Sequence, residues 1–272
     1  MKNCFGLSTC FYKECTQENW RQAAEAGFTD AELIFSRVMP IEQIVTRADH
    51  LHDILTGCGL KVSSVHLPFN DKWDISDLDR ERRHKNVEQL KLLLNWTGEK
   101  QIGIGVIHAS FEPIPDAERP ERLLRAAEAI DLLSGHGAGE GVRLAVENLP
   151  RSCLGNCADE LLLLTDRGTR AGICLDVNHL LKESHREFIE KAGPYLMTTH
   201  LSDYDRIDER HWFVGDGCID WQELRGMLEG AGYEGRYVFE LAQNASCVPG
   251  FTFTPSDLLR RFRELFGSVE SC

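Results

Sequence analysis

No stretch of the 272 residues approaches the roughly 18 consecutive apolar side chains of a membrane span, and the first residues, MKNCFGLSTCFYKE, hold no sustained apolar run. The expectation is a soluble, cytoplasmic protein with no membrane partner. Basic charge is also in short supply. Thirty Lys and Arg face 43 Asp and Glu, a formal net charge of −13, so the surface as a whole repels phosphate backbones and a nucleic-acid partner is not expected. Small or neutral ligands are favoured. Cysteine is plentiful, ten in all, yet none stands in a Cys-x-x-Cys pair, and several sit in apolar segments such as GICLDV and KNCFGL. In a chain of this length that pattern reads as reduced, buried thiols rather than a disulfide framework. No linker, solenoid repeat or low-complexity tract interrupts the chain. The turn after the first strand-like run, LSTCFYKE, has no glycine-rich phosphate fingerprint, which argues against a doubly wound dinucleotide-binding sheet.

What is present is an alternation. Short apolar runs rich in β-branched residues (FGLS, AELIF, VSSVHLP, GVIHAS, RLAVENL, GICLDVNH, LMTTHLS, YVFELA) alternate with amphipathic helical patterns such as IEQIVTRADHLHDILTGCG and ERLLRAAEAIDLLSGHG that close near glycine. Eight such β/α units, in a chain close to the roughly 250 residues of an eightfold barrel and 42% apolar, predict an α/β fold: one (β/α)8 TIM barrel domain spanning residues 1–272.

The strand ends carry the chemistry. Run three ends at His66, run four at His108, run five at Glu147, run six at Asp176 and His179, run seven at His200 and run eight at Glu240. In a barrel the C-terminal strand ends ring one pocket, so these groups converge. The segment TTHLSDYDRIDERHWFVGDGCIDW, Thr198 to Trp221, crowds His200, Asp203, Asp205, Asp208, Glu209, His211 and Asp216 into two dozen positions. Glu209 and His211 on that loop are placed to join the ring. Imidazole and carboxylate without thiolate suit a catalytic divalent ion (Mn²⁺, Zn²⁺, Co²⁺ or Fe²⁺), one or more, rather than a structural zinc. A lone His at a strand end is more often a hydrogen-bonded core residue. Carboxylates within apolar strands are costly to bury unpaired, however, and that makes Glu147, Asp176, His200 and Glu240 the first-choice ligands. His66, His108, His179, Glu209 and His211 stand as substrate contacts or further ligands. The GDG glycines read as a turn, Trp221 as a core anchor and RERRHK as a solvated helix face. Phe69, Trp73 and Trp212 read equally as sugar-stacking rings or barrel plugs.

The segments VHLPF, IHAS, AVENL, ICLDVNH, THLSDYD…DERHWFVGDGCIDW and FEL together resemble the xylose isomerase-like TIM barrel superfamily, across nearly the whole chain from His66 to Glu240. The resemblance implies a sugar or sugar-phosphate isomerase or epimerase. In it Glu147, Asp176, His200 and Glu240 hold a divalent ion, commonly manganese, His179 lies beside the substrate, and Glu147 and Glu240 serve as base and acid on opposite faces of the sugar, through a metal-stabilised enediolate. It equally implies a rival. The trinuclear zinc set of endonuclease IV matches His66, His108, Glu147, Asp176, His179, His200, Glu209, His211 and Glu240, with Glu209 standing where that enzyme has aspartate. The neutral or acidic loops HASFEPIPDAERPE and SDYDRIDERHW place carboxylates where phosphates would lie, which ranks a small-molecule sugar substrate above abasic DNA. A catalytically silent sugar- or metal-binding barrel is the third reading, and association into a homo-oligomer is left open.

Overall fold

The computed structural model describes residues 4–35, 39–165 and 171–267. Eight strands run β1 (Phe5–Ser8), β2 (Asp30–Ile34), β3 (Lys61–His66), β4 (Ile104–Ile107), β5 (Arg143–Glu147), β6 (Gly172–Asp176), β7 (Leu196–Leu201) and β8 (Arg236–Phe239). All pair in parallel, each with the next, and β1 with β8, so the sheet closes into a barrel. Between them lie α1 (Gln17–Ala26), α2 (Ile41–Gly57), α3 (Arg80–Glu99), α4 (Arg119–Gly139), α5 (Ala158–Thr165), α6 (His185–Ala192) and α7 (Trp221–Gly230), and α8 (Pro255–Phe266) follows β8. The expected (β/α)8 barrel is what the chain forms.

The helices start where side-chain oxygens meet free backbone N–H groups. Thr16 caps α1, Asp79 caps α3, Asp220 caps α7, and capping boxes open α6 (Ser184 with Glu187) and α8 (Thr254 with Asp257). Their apolar faces pack on the strands, as with Leu90, Leu93 and Leu94 of α3 and Leu258, Leu259 and Phe262 of α8, all at most 1% exposed.

Strand periodicity positions the site. Val106, Ala145 and Cys174 form an apolar cluster of their own. Two residues along the chain from each come His108, Glu147 and Asp176, so a period of two carries the same face from an apolar layer to ligand-type groups. Asp176 and His200 are register partners across β6 and β7. The β2–β3 register slips between Ala31 and Glu32, which then pairs with Ser64. A bulge of this kind re-aims side chains. Its result is that the Ser64 hydroxyl donates to Glu32 Oε2 at 2.7 Å, with both residues buried.

The thiols divide. Cys153 and Cys174 are buried and free as expected, but Cys218 and Cys247 are free and exposed and Cys4 is disulfide-bonded, so the reading of uniformly reduced, buried thiols is corrected at those positions.

Candidate metal centre at the barrel mouth

Glu147 is the hub. It ends β5 at 1% exposure, and its two oxygens face opposite ways. Oε2 lies 2.9 Å from His66 Nε2 and 3.1 Å from His108 Nε2, while Oε1 lies 3.1 Å from His200 Nδ1 and 3.5 Å from His179 Nδ1. His200 Nδ1 also stands 2.8 Å from Glu240 Oε2. One ligand atom each of Glu147, Asp176, His200 and Glu240 falls within 4.8 Å of all the others, and the same holds for three overlapping sets: His66, His200 and Glu240; His66, His108 and Glu147; and Asp176, His179 and His211. Glu209 Oε2 lies 3.2 Å from His179 Nε2. All nine residues singled out in the sequence therefore meet in one place.

The imidazoles are oriented from behind. His66 Nδ1 donates to the Leu67 carbonyl at 2.9 Å, His179 Nδ1 to the Asn148 carbonyl at 2.9 Å and His211 Nδ1 to the Glu240 carbonyl at 3.1 Å. With the proton held there, the other ring nitrogen carries a lone pair. In His66 and His179 that nitrogen points at a carboxylate, an arrangement that needs a second proton or a cation between the two. His200 is backed by a carboxylate, Glu32 Oε1, 3.0 Å from its Nε2. Asp176 Oδ2 and Glu240 Oε2 are buried and make no hydrogen bond of good geometry, the short His200 Nδ1 contact of Glu240 being misaligned. Orphaned carboxylate oxygens beside aligned imidazoles are a donor set that fits a divalent ion of the borderline class.

The electrostatics without an ion express the same demand. Burial opposes the charge of Glu147, yet His200 and His108 outweigh it and hold the carboxyl well below the usual carboxylate range. Burial likewise opposes Glu240, which His200 brings down to about 2. In Asp176 burial prevails and pushes the carboxyl up to about 6. Burial disfavours protonation of His200, but Cys174, Glu240, Glu32 and Glu147 raise it well above an ordinary imidazole. His179, opposed by burial, rises to about 10 beside Asp176 and Glu209. Protons here balance a concentration of negative charge that a bound cation would balance instead.

Beside these groups opens a cavity of about 180 Å3, lined by the apolar Phe69, Phe111, Leu149 and Pro150 and by the polar His179, Glu209, His211 and Glu240 among others. The volume is roughly that of six waters in the liquid, the scale of one small metabolite. A larger groove of about 650 Å3 lies between α6 and α7, lined by Ile189, Pro194, Met227 and Ala231 among others and by none of the clustered ligand-type residues.

The crowded segment Thr198–Trp221 divides its labour. His200, Glu209 and His211 reach the centre, and the rest build the loop that carries them. Asp203, fully buried, accepts from the Tyr204, Gly215 and Ile219 amides and from Trp221 Nε1 at 2.9–3.2 Å. Asp205 pairs with Arg210, Asp208 with Arg151, and Asp216 accepts from Ser246. An antiparallel bridge between Asp203 and Trp212 folds the loop back, and Asn178 Oδ1 accepts from the Arg210 and His211 amides, with His211 at φ 49°. Trp221 is a core anchor at 3% exposure. Phe69 packs on His108 in a tilted arrangement, ring centroids 4.4 Å apart, at the cavity wall, whereas Trp73 lines a separate groove beside Lys72 and Met39. Arg82 of the RERRHK run is solvent-exposed and paired with Asp77. Sequence reading passed over Glu32, although a carboxylate inside the apolar run AELIF carries the same signal as Glu147. It also passed over Arg151, Asn148 and Asn178.

Fold and site together define a (β/α)8 barrel with a candidate metal centre at the C-terminal ends of its strands. The chain belongs to the xylose isomerase-like TIM barrel family, whose sequence model matches residues 20–257. Among curated relatives, MJ1311 of Methanocaldococcus jannaschii is 26% identical over 184 residues, 63% of this chain and 61% of that protein. The chain thus matches about three fifths of that relative's length. The protein y4fM of Sinorhizobium fredii is 22% identical over 237 residues, 83% of this chain and 76% of that protein. Both carry the description "uncharacterized". Among solved structures, a D-psicose 3-epimerase in the presence of D-fructose superposes with a TM-score of 0.78 at 17% identity, covering 98% of this chain and all of that one. The 3-keto-D-glucoside 4-epimerase YcjR from E. coli does so at 0.76 and 18%, covering 97% and 100%. At such identities the likeness shows a shared fold.

Proposed function

We propose that the protein is a divalent-metal-dependent sugar isomerase or epimerase working by proton transfer next to a carbonyl. The observation that carries this reading is the convergence of Glu147, Asp176, His200 and Glu240 within 4.8 Å of one another beside a metabolite-sized cavity. The epimerase names of the structural neighbours support it. A divalent ion, when bound, supplies Lewis-acid polarisation of the substrate carbonyl and its neighbouring hydroxyl. Glu147 and Glu240 both line the cavity; the ionised one takes a proton from the carbon beside the carbonyl, and the other, first protonated from solvent, returns a proton and is left ionised in turn. Return on the opposite face inverts that carbon, and return to the neighbouring carbon isomerises the sugar. His179 and His108 line the cavity and are positioned to orient hydroxyls, His66 holds Glu147 from behind, and the Phe69 and Phe111 rings offer a flat apolar wall to the C–H side of a sugar.

The test is turnover of ketoses in heavy water. The metal-loaded protein is expected to incorporate deuterium at the reacting carbon, and Glu147→Gln and Glu240→Gln to lower the rate by about 10²–10⁴-fold while staying folded. Sugar turnover without deuterium would overturn proton transfer, and wild-type rates in both variants would remove these carboxylates from the chemistry.

A second reading, metal-dependent phosphodiester hydrolysis at abasic DNA, is favoured by one observation: the His66/His108/Glu147 and Asp176/His179/His211 sets flank the central one. The carboxylate-rich mouth and the net charge of −13 place it second. Efficient incision of an abasic duplex at low salt, lost in Glu240→Gln, would reverse the order.

A further inference from the structure

The rim of the cavity holds one arginine against three carboxylates. Arg151, in the loop after β5, sits at φ 48°, a left-handed conformation that a non-glycine residue keeps only where its surroundings hold it. Its guanidinium supplies that hold. Nε donates to Glu112 at 2.8 and 3.1 Å, NH1 to Asp208 at 2.6 Å and NH2 to Glu209 at 2.7 Å, with a further NH2 contact to Glu112. Glu112 comes from the loop after β4, and Asp208 and Glu209 from the loop after β7. One side chain therefore straps three mouth loops together. Among the described residues lining the cavity, Arg151 is the one arginine or lysine, while Glu112, Glu147, Glu209 and Glu240 all line it.

A phosphate ester entering this cavity meets no free guanidinium or ammonium among the described lining residues. It must either lie among carboxylates or take Arg151 from its partners, leaving carboxylates unpaired at a partly dry rim. A neutral sugar faces no such conflict, because its hydroxyls donate to carboxylate lone pairs that one guanidinium cannot fill. We propose that the strap of Arg151 with Glu112, Asp208 and Glu209 determines specificity: it occupies the cavity's one guanidinium and screens the mouth against anions, so the site takes unphosphorylated monosaccharides and rejects their phosphate esters. This narrows the substrate class of the reading above and rests on it for the word substrate, though not for the binding preference.

The experiment uses the full-length protein loaded with Mn²⁺. D-Fructose, D-psicose and D-tagatose are each titrated by calorimetry beside their 6-phosphates, with deuterium incorporation followed in parallel. The wild type is expected to bind at least one neutral ketose tenfold or more tighter than its phosphate. Glu112→Gln with Asp208→Asn leaves Arg151 held by Glu209 alone, opening its Nε and NH1 to an incoming anion, and is expected to move that ratio toward the phosphate by at least tenfold. Adding Arg151→Gln is expected to cancel the shift, and Glu112→Gln alone, the milder change, to give a smaller shift in the same direction should the double variant fold poorly. A wild-type preference for the phosphates, an unchanged ratio in both carboxylate variants, a shift that survives loss of Arg151, or binding of none of the six compounds would each overturn the proposal. The predicted ratios without any deuterium incorporation would sink the isomerase reading and leave the strap standing.

Discussion

Glu32 shows what one side chain behind a site contributes. It is fully buried, its Oε2 is taken by the Ser64 hydroxyl, and its Oε1 backs His200 Nε2 at 3.0 Å. The negative charge there, close to the ring though not hydrogen-bonded to it, raises the basicity of His200. Glu32→Gln keeps the shape and the Ser64 contact but removes the charge, and is expected to weaken Mn²⁺ affinity by about 10–100-fold, read by competition with a chelating dye. Unchanged affinity would reduce Glu32 to a packing residue. The same residue marks the limit of what sequence reading reached. Glu147, Asp176 and Glu240 were legible because each is a carboxylate in an apolar strand beside a histidine or at a strand end. Glu32 shares the first property but sits mid-strand, and the bulge that brings Ser64 opposite it lies on β3, where it leaves no mark on the pattern AELIF. Arg151 was illegible for another reason: its partners lie on two other loops, 39 residues upstream and up to 58 downstream.

At the scale of the element, the loop after β7 is organised around a charge that never reaches the centre. Asp203 answers four donors at zero exposure, and Gly217 packs so close that a Cβ would stand 2.3 Å from Asp203 Oδ1 and 2.2 Å from the Tyr204 carbonyl. Asp203→Asn replaces an acceptor oxygen by a donor among donors, and is expected to cost about 2–3 kcal/mol in denaturant unfolding and to lower metal affinity through the displaced His211. A variant as stable as wild type would show that the loop tolerates rearrangement. The helix α6 offers a pH-dependent counterpart. His185 lies in its first turn, where the helix dipole opposes a cation, and is buried with Nε2 donating to the Val177 carbonyl at 2.8 Å. Burial depresses its proton affinity below the ordinary 6.5. The unfolded chain therefore binds a proton at a pH where the folded one does not, so the penalty is absent above about 6.5 and grows as pH falls below it. His185→Gln is expected to flatten that limb of the stability–pH curve, and an unaltered slope would show another group responsible. All eight strands were legible because parallel strands covered on both faces read as unbroken apolar runs. The short helices α5, α6 and α7 were less so, since eight to ten residues give too few turns for a period of 3.6 to declare itself.

Across the whole molecule, the barrel brings acids from four different strands and a loop into one volume: Glu32, Glu147, Asp176, Glu240 and Glu209, against the histidines at 66, 108, 179, 200 and 211. In the ion-free protein this concentration is tolerated through protons. His179 rises to about 10 and Asp176 to about 6, and each such shift is a free-energy difference between folded and unfolded chains that varies with pH. A bound divalent ion replaces those protons with fixed charge. It binds only where the strand ends are assembled, so its affinity appears directly as stability of the closed barrel. At a free concentration one hundred times its dissociation constant a single ion stabilises by about 2.7 kcal/mol. For a chain of this size that corresponds to a rise in Tm of roughly 5–11 °C. Mn²⁺, Co²⁺ or Zn²⁺ is therefore expected to raise Tm by that order relative to the chelated protein at pH 7.5. The rise should shrink as pH falls and protons compete for the imidazoles, and it should be small in a Glu147→Gln, Glu240→Gln double variant. A Tm indifferent to all three ions in the wild type, with elemental analysis showing less than one ion per chain, would mean that the convergence of these side chains serves something other than a metal.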